Sequence, residues 1–339
     1  SIECTTPANR NCISSVCLMD KGGTSLRIKI FENTVLNLES ALDYLNNDGK
    51  YFLIDEGVDI RNIIISDNMP LFKLLQNKGI TIETYNLIQK DIEGIVIKKQ
   101  NTLVPFLYYQ QNKLFKKEKE IEKHFGLFVS GSRWHRLFLA SNLFNNYKDK
   151  LIISYRQNIK DKNQPCNLYI DELFLRTFKL NNNKFLNDIF NFILNLPLEV
   201  TTDTNNNTGY INYDEAFNIS HLYKKIFVDI VCETWHEGDC FYPTEKISRA
   251  IVCYTPFIVY GGKNFLKNLQ NIGFKTFNKF WDESYDNYSG IDRILMINKL
   301  ENTISKLSID SLKKMYNEMK EILDHNYKTY NNLLNVNIL

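Results

Sequence analysis

A chain of 339 residues, 44% hydrophobic and 24% charged, has the composition of a globular protein and the length of two ordinary domains. Its formal net charge of +2 provides no global field to recruit nucleic acid or an anionic membrane, so neither is expected as a partner. No stretch reaches the roughly 18 to 20 apolar residues that a membrane span needs, and no secretory signal is visible.

In chain order, Leu38, Ala41, Leu42 and Leu45 sit at helical spacing, and the run Asn46-Asn47-Asp48-Gly49 ends that element. Residues 51–54 and 63–65 read as buried strands. Pro70 opens a helix carrying Leu71, Leu74 and Leu75, which Gly79 closes, and 80–85 reads as the next strand. That succession predicts a βαβ unit. The mixed-charge run 113–123, KLFKKEKEIEK, reads as a solvated helix or linker and places the domain boundary. The division expected is 1–120 and 121–339, each an α/β domain.

The second series begins at Phe125 with a strand through GLFVSGS, then a helix over 135–148 and a strand over 151–155. A helix over 183–195 and a loop over 199–214 follow. Residues 227–232 form a strong apolar strand, 245–254 a helix and 257–260 another strand. Gly261-Gly262 leads to a helix ending at Gly273. The tail from about 291 is helical, with Ile309, Leu312, Met315, Met319 and Ile322 as its apolar stripe. The fold expected is α/β, with two Rossmann-like domains and C-terminal helices.

Seven cysteines, odd in number and scattered, do not form a disulfide framework. Cys232 and Cys253 lie in apolar runs and read as small buried hydrophobes. Cys4, Cys12 and Cys17 lack a following pair at zinc-ligand spacing. This usage favours a reducing compartment, and a cytoplasmic location is expected. The first residue is Ser1, not methionine, which leaves open further sequence or an anchor.

The chemistry concentrates in 227–262, FVDIVCETWHEGDCFYPTEKISRAIVCYTPFIVYGG. This is a buried strand, a polar loop, a helix, a second buried strand and a Gly-Gly turn. In open α/β sheets, ligands bind at the carboxyl ends of strands, where such loops and helix N-termini converge. Thr244 is a good N-cap for the helix that Glu245 and Lys246 begin. The free N–H groups, the positive dipole end and the Lys246 ammonium make a site for phosphate. Glu245 can accept hydrogen bonds from ribose hydroxyls, so a nucleoside diphosphate fits this mixture better than a plain anion.

The segment resembles the donor-binding motif of the α-1,3-fucosyltransferases. There a strand ends in Glu, a loop leads to Tyr-x-Thr-Glu-Lys, and a helix leads to a strand running from Pro to Gly. Here the loop reads Tyr242-Pro243-Thr244-Glu245-Lys246 and the second strand runs from Pro256 through Val259-Tyr260 to Gly261. The resemblance implies that Glu245 holds the donor ribose, Lys246 the diphosphate and Tyr242 the nucleoside side. Glu233 matches the strand-terminal Glu, and Thr234 stands where the family usually has Asn. Phe128-Val129-Ser130-Gly131 followed by Arg136 and Leu143 looks like the element that supplies a diphosphate-binding Arg. Arg136 is that candidate, with Arg133 as the local competitor.

What the resemblance implies is a GT-B-type glycosyltransferase with two Rossmann-like domains facing a cleft. The donor is a nucleotide sugar, with a GDP-sugar favoured, and fucose or another hexose or deoxyhexose moves with inversion to a hydroxyl of a glycan or other acceptor. No cofactor and no metal are required. The N-terminal domain, on the acceptor side, would supply a carboxylate as general base. Asp55, Glu56 and Asp59 follow the strand 51–54, and Glu56 is the candidate; a solvated turn carboxylate is the alternative for each.

Other readings compete. His236, Glu237 and Asp239 invite a divalent ion, but three nearby loop side chains rarely converge unaided. Residues 274–277 and 281–286 read either as a ligand loop or as a capped connection to the C-terminal helices. A catalytically silent module that holds a nucleotide or glycan on the same fold is the alternative function. Neither Gly-x-Gly-x-x-Gly nor Gly-x-x-x-x-Gly-Lys-Ser/Thr occurs, which argues against other nucleotide-binding classes.

Overall fold

The computed structural model describes residues 14–19, 25–30, 51–54, 59–61, 73, 76–77, 81–99, 119–129, 133–155, 183–198, 200 and 219–337. The chain forms two compact units. One comprises 1–103 with 235–242 and 261–263, and the other comprises 104–234, 243–260 and 264–339. The expected division into two consecutive pieces did not foresee that two short stretches of the second half join the first unit.

The first unit holds a five-stranded sheet of β1 (Ser14–Met19), β2 (Ser25–Ile30), β3 (Tyr51–Ile54), β4 (Thr81–Thr84) and β5 (Val96–Lys99), in the order β2-β1-β3-β4-β5. β3, β4 and β5 run parallel, as the βαβ reading requires, whereas β1 is antiparallel to both neighbours. β4 alternates, with Ile82 and Thr84 buried. Glu83 points the other way and is paired with Lys98, its register partner on β5. Residues 73, 76 and 77 are helical, within the predicted helix after Pro70. The predicted helix around Leu38–Leu45 and the strand at 63–65 lie outside the described residues.

A buried polar network fixes 235–242 in this unit. The Asp59 carboxylate, 1% exposed, accepts from Arg61 Nη2 (2.8 Å), Gln89 Nε2 (3.3 Å) and the Asp239 N–H (2.9 Å). Burial pushes the Asp59 carboxyl up, but the Arg61 and backbone hydrogen bonds outweigh it and hold the pKa below the ordinary value. Asn86 donates to the Asp239 carbonyl (2.7 Å) and accepts from the Phe241 N–H (3.1 Å). At Gly262 a Cβ would lie 2.1 Å from the Cys240 carbonyl oxygen, so only glycine permits that approach.

The second unit holds a four-stranded, wholly parallel sheet of β6 (Lys123–Val129), β7 (Leu151–Tyr155), β8 (Ile226–Cys232) and β9 (Phe257–Tyr260), in the order β7-β6-β8-β9. The helices are α1 (Trp134–Tyr147), α2 (Asn183–Leu194), the single turn α3 (Ser220–Tyr223), α4 (Glu245–Val252), α5 (Phe265–Asn271), α6 (Gly290–Ser305) and α7 (Ile309–Asn337). Every residue of β8 and β9 is buried, as an apolar run covered on both faces must be. Phe227, Val228, Ile230 and Val231 are each at most 3% exposed, and each such side chain contributes about 1.5–3 kcal/mol.

The topology matters for the site. The chain leaves β6 through α1 toward β7 on one side, and leaves β8 through α4 toward β9 on the other. Strand order therefore reverses between β6 and β8, which is where doubly wound sheets open a ligand crevice at their carboxyl ends.

Residues 281–286 serve the fold, in line with the capped-connection reading. The Asp286 carboxylate accepts from the Leu266 and Lys267 N–H groups at the start of α5 and from Arg293 Nη2 (2.9 Å). Glu283 accepts from the Phe277 N–H (2.7 Å), and burial pushes its carboxyl up to about 7. On α7 the buried stripe runs Leu312, Tyr316, Met319, Leu323, Asn326, Tyr330 and Leu334, while Met315 and Ile322 of the predicted stripe lie half-buried beside it. No described helix is long and apolar enough to cross a membrane. Cys232, Cys240 and Cys253 are buried and form no disulfide.

Candidate functional site

Glu233 follows β8 directly, and its N–H donates to the Tyr260 carbonyl (2.9 Å), extending the β8–β9 ladder by one step. Its side chain is fully buried and turned to Thr244, accepting from the Thr244 N–H (3.1 Å) and the Thr244 hydroxyl. Thr244 has extended backbone and caps α4, its Oγ1 accepting from the Lys246 N–H (3.3 Å). The same Oγ1 accepts from Lys246 Nζ (3.1 Å). One hydroxyl thus ties the strand-terminal acid, the helix start and the lysine together. Burial raises the pKa of Glu233, opposed by the Lys246 charge and the Thr244 hydrogen bonds, and the net direction is up.

Lys246 Nζ also donates to Glu245 Oε1 (2.7 Å) and to Thr234 Oγ1 (3.3 Å). Burial raises the Glu245 pKa, but the Lys246 charge and hydrogen bond prevail, so the carboxyl stays below its ordinary value and ionised near neutrality. From the other side of the switch point comes Arg136, on the first turn of α1. It is 3% exposed, and its Nη2 donates to Thr234 Oγ1 (3.3 Å) and the Cys232 carbonyl (3.4 Å). Arg136 and Lys246, 110 positions apart, therefore meet on one hydroxyl oxygen. A ligand oxygen placed there would reach both cations.

His135, fully buried, holds the frame. Its Nε2 lies 3.1 Å from the Glu233 carbonyl oxygen, and its ring stacks on Tyr260 at 4.8 Å. Sequence reasoning assigned no role to His135 and treated Thr234 only as a departure from a pattern. The legible signal for Thr234 was its place directly after the strand-terminal acid; His135 gave none.

Four of the sequence-predicted residues, Arg136, Glu233, Glu245 and Lys246, thus form one cluster in the second unit. Tyr242 is half-buried and belongs to the first unit. Arg133 is buried at the N-cap of α1. Glu56 and Asp55 lie outside the described residues. Asp59, weighed as a possible base or solvated turn carboxylate, is instead a buried structural acid saturated with donors. The Asp239 carboxylate is held by Arg61 and Lys90, and His236 Nε2 lies 3.7 Å from Glu237. Among the described residues no group of three or more metal-ligating side chains converges.

No family model, curated protein or solved structure matches this chain. The class that the observations define is an α/β protein with one mixed and one wholly parallel sheet, whose second unit is compatible with a Rossmann-like fold and carries a cationic cluster at its switch point.

Proposed function

We propose that the chain is a glycosyltransferase of the GT-B type, resembling the α-1,3-fucosyltransferases, that uses a nucleoside-diphosphate sugar. The observation that carries this reading is the convergence of Arg136 and Lys246 on one oxygen beside Glu245, at the start of a capped helix and at the switch point of a parallel sheet. A diphosphate there takes the place that Thr234 Oγ1 and Glu245 occupy around Lys246. Glu245, released from its ion pair, accepts from ribose hydroxyls.

In the reaction an acceptor hydroxyl oxygen attacks the anomeric carbon, the bond to the diphosphate oxygen breaks, and configuration inverts. Negative charge grows on the leaving diphosphate, and two preorganised cations stabilise it most at that moment. They supply the neutralisation, so the proposed reaction needs no metal or other cofactor. The proton of the acceptor goes to a carboxylate of the N-terminal unit, for which Glu56 is the candidate. GDP is the favoured nucleotide and a glycan the favoured acceptor class.

A thermal-shift panel of GDP, UDP, CMP and dTDP sugars tests the reading, since a ligand that binds only the folded state raises its apparent stability. Stabilisation by a GDP-sugar, followed by release of GDP when an acceptor is added, is the expected result. Binding without any turnover would favour the silent nucleotide-binding alternative. Stabilisation by none of them would defeat both.

A further inference from the structure

A second cationic site lies at the opposite end of the same sheet. A cavity of about 550 Å³ is lined by Lys119, Tyr254, Lys313, Tyr316, Asn317 and Lys320. Its floor is at the amino ends of the strands: Lys119 and Ile121 precede β6, Tyr254 precedes β9, and Lys119 reaches the first residue of β8. β8 is seven residues long, so about 20 Å of strand separates this end from Glu233.

The Lys119 ammonium is turned inward. It donates to the Tyr223 carbonyl, the Ile226 carbonyl (3.2 Å) and Thr255 Oγ1 (2.6 Å), on residues each at most 1% exposed. It also lies 5.7 Å from the centre of the Tyr316 ring. All three of its N–H groups therefore face neutral oxygens. Among the described residues neither Lys119, Lys313 nor Lys320 makes an ion pair, and the one carboxylate lining the cavity is Asp324. Burial pulls the Lys119 pKa down to about 7, against the opposing charges of Cys253 and of Asp229, neither of which lines the cavity.

Lys313, Asn317 and Lys320 stand at i, i+4 and i+7 on α7, so they share one face above Lys119. Exposed lysines beside a groove are usually only solvated. The inward cation beneath these two is what sets the cavity apart. Its volume is in the range of small-molecule sites and larger than a bare phosphate requires. Tyr254, Tyr316, Ile121 and Leu323 supply apolar walls.

We propose that this cavity binds a small phosphate-bearing organic molecule, with Lys313 and Lys320 donating to the phosphate, Lys119 contributing charge from below, and the tyrosine walls covering the organic body. The site is separate from the Arg136–Lys246 cluster and does not depend on what that cluster does.

Calorimetric titration with phenyl phosphate tests it, on the wild-type chain, on Lys246→Ala and on the double variant Lys313→Ala/Lys320→Ala. Both lysines are exposed, so the double variant keeps its fold, checked by an unchanged melting temperature. Binding by the wild type that persists in Lys246→Ala and weakens at least tenfold in the double variant is expected. Absence of binding to the wild type, or equal binding by the double variant, would overturn the proposal. Loss in Lys246→Ala alone would assign the phosphate to the other cluster and overturn it equally.

Discussion

Replacing Thr244 by Val removes one hydroxyl and leaves the side-chain volume nearly unchanged, so any effect comes from lost hydrogen bonds. The hydroxyl caps α4 through the Lys246 N–H and donates to the fully buried Glu233 carboxylate. Loss of an N-cap costs about 1 kcal/mol, and loss of a hydrogen bond to a charged group costs about 1.5–3 kcal/mol. Thr244→Val should therefore destabilise the chain by about 2–4 kcal/mol at pH 8. Thr244→Ser keeps the hydroxyl and should lose less than about 1 kcal/mol. The pKa of Glu233 is already raised by burial against the Lys246 charge and the Thr244 bonds, and removing one of those bonds raises it further. A raised acid penalises the folded state as pH rises, so the Val defect should shrink toward the cap contribution when Glu233 is protonated at low pH. Urea unfolding followed by tryptophan fluorescence measures this. A Val variant within about 0.5 kcal/mol of wild type, or a Ser variant as damaged as Val, would refute the role given to the hydroxyl.

Glu301 on α6 is fully buried, accepts from Asn142 Nδ2 (2.8 Å), and is pushed by burial up to about 8. Its folded pKa lies above the ordinary value, so its favourable share of stability is present below about pH 4.5 and is lost as pH rises through about 8. Relative to wild type, Glu301→Gln should gain several kcal/mol as pH rises from 5 to about 8, at about 1.4 kcal/mol per pH unit, and nothing further above that; an equal difference at pH 5 and pH 8 would contradict the assignment. Asp286→Asn removes the anion facing the fully buried Arg293 and weakens the cap of α5. A loss of about 3–5 kcal/mol is expected from chemical denaturation, as for breaking a buried pair, and a change under about 1 kcal/mol would show that Arg293 is held otherwise.

Much of the second unit was legible because its signals are local. The bounds of β7 and β9 were read directly from apolar runs, and the start of α4 from Thr244 as a cap. The meeting of Arg136 with Glu233, Glu245 and Lys246 was anticipated only through resemblance, since nothing in the spacing of α1 and β8 declares that the sheet reverses order between them. The return of 235–242 to the first unit was not legible. It rests on Asp59 and Asn86 finding partners about 180 and 153 positions away, and those residues read locally as ordinary turn polars. The β1–β2 pair carries a local signal too: Leu26-Arg27-Ile28-Lys29-Ile30 alternates and follows Gly22-Gly23. On α7 the predicted stripe drifted because repeated three-residue steps fall behind the 3.6-residue turn, whereas burial follows four-three-four steps from Leu312.

The most direct test of the proposed function is calorimetric titration of GDP and GMP into the wild-type chain, Arg136→Ala and Lys246→Ala. If both cations converge on a diphosphate, GDP binds the wild type more tightly than GMP, and each substitution weakens GDP at least tenfold while changing GMP less. Equal GDP binding by all three proteins, or none by the wild type, would contradict the donor-site reading of the cluster.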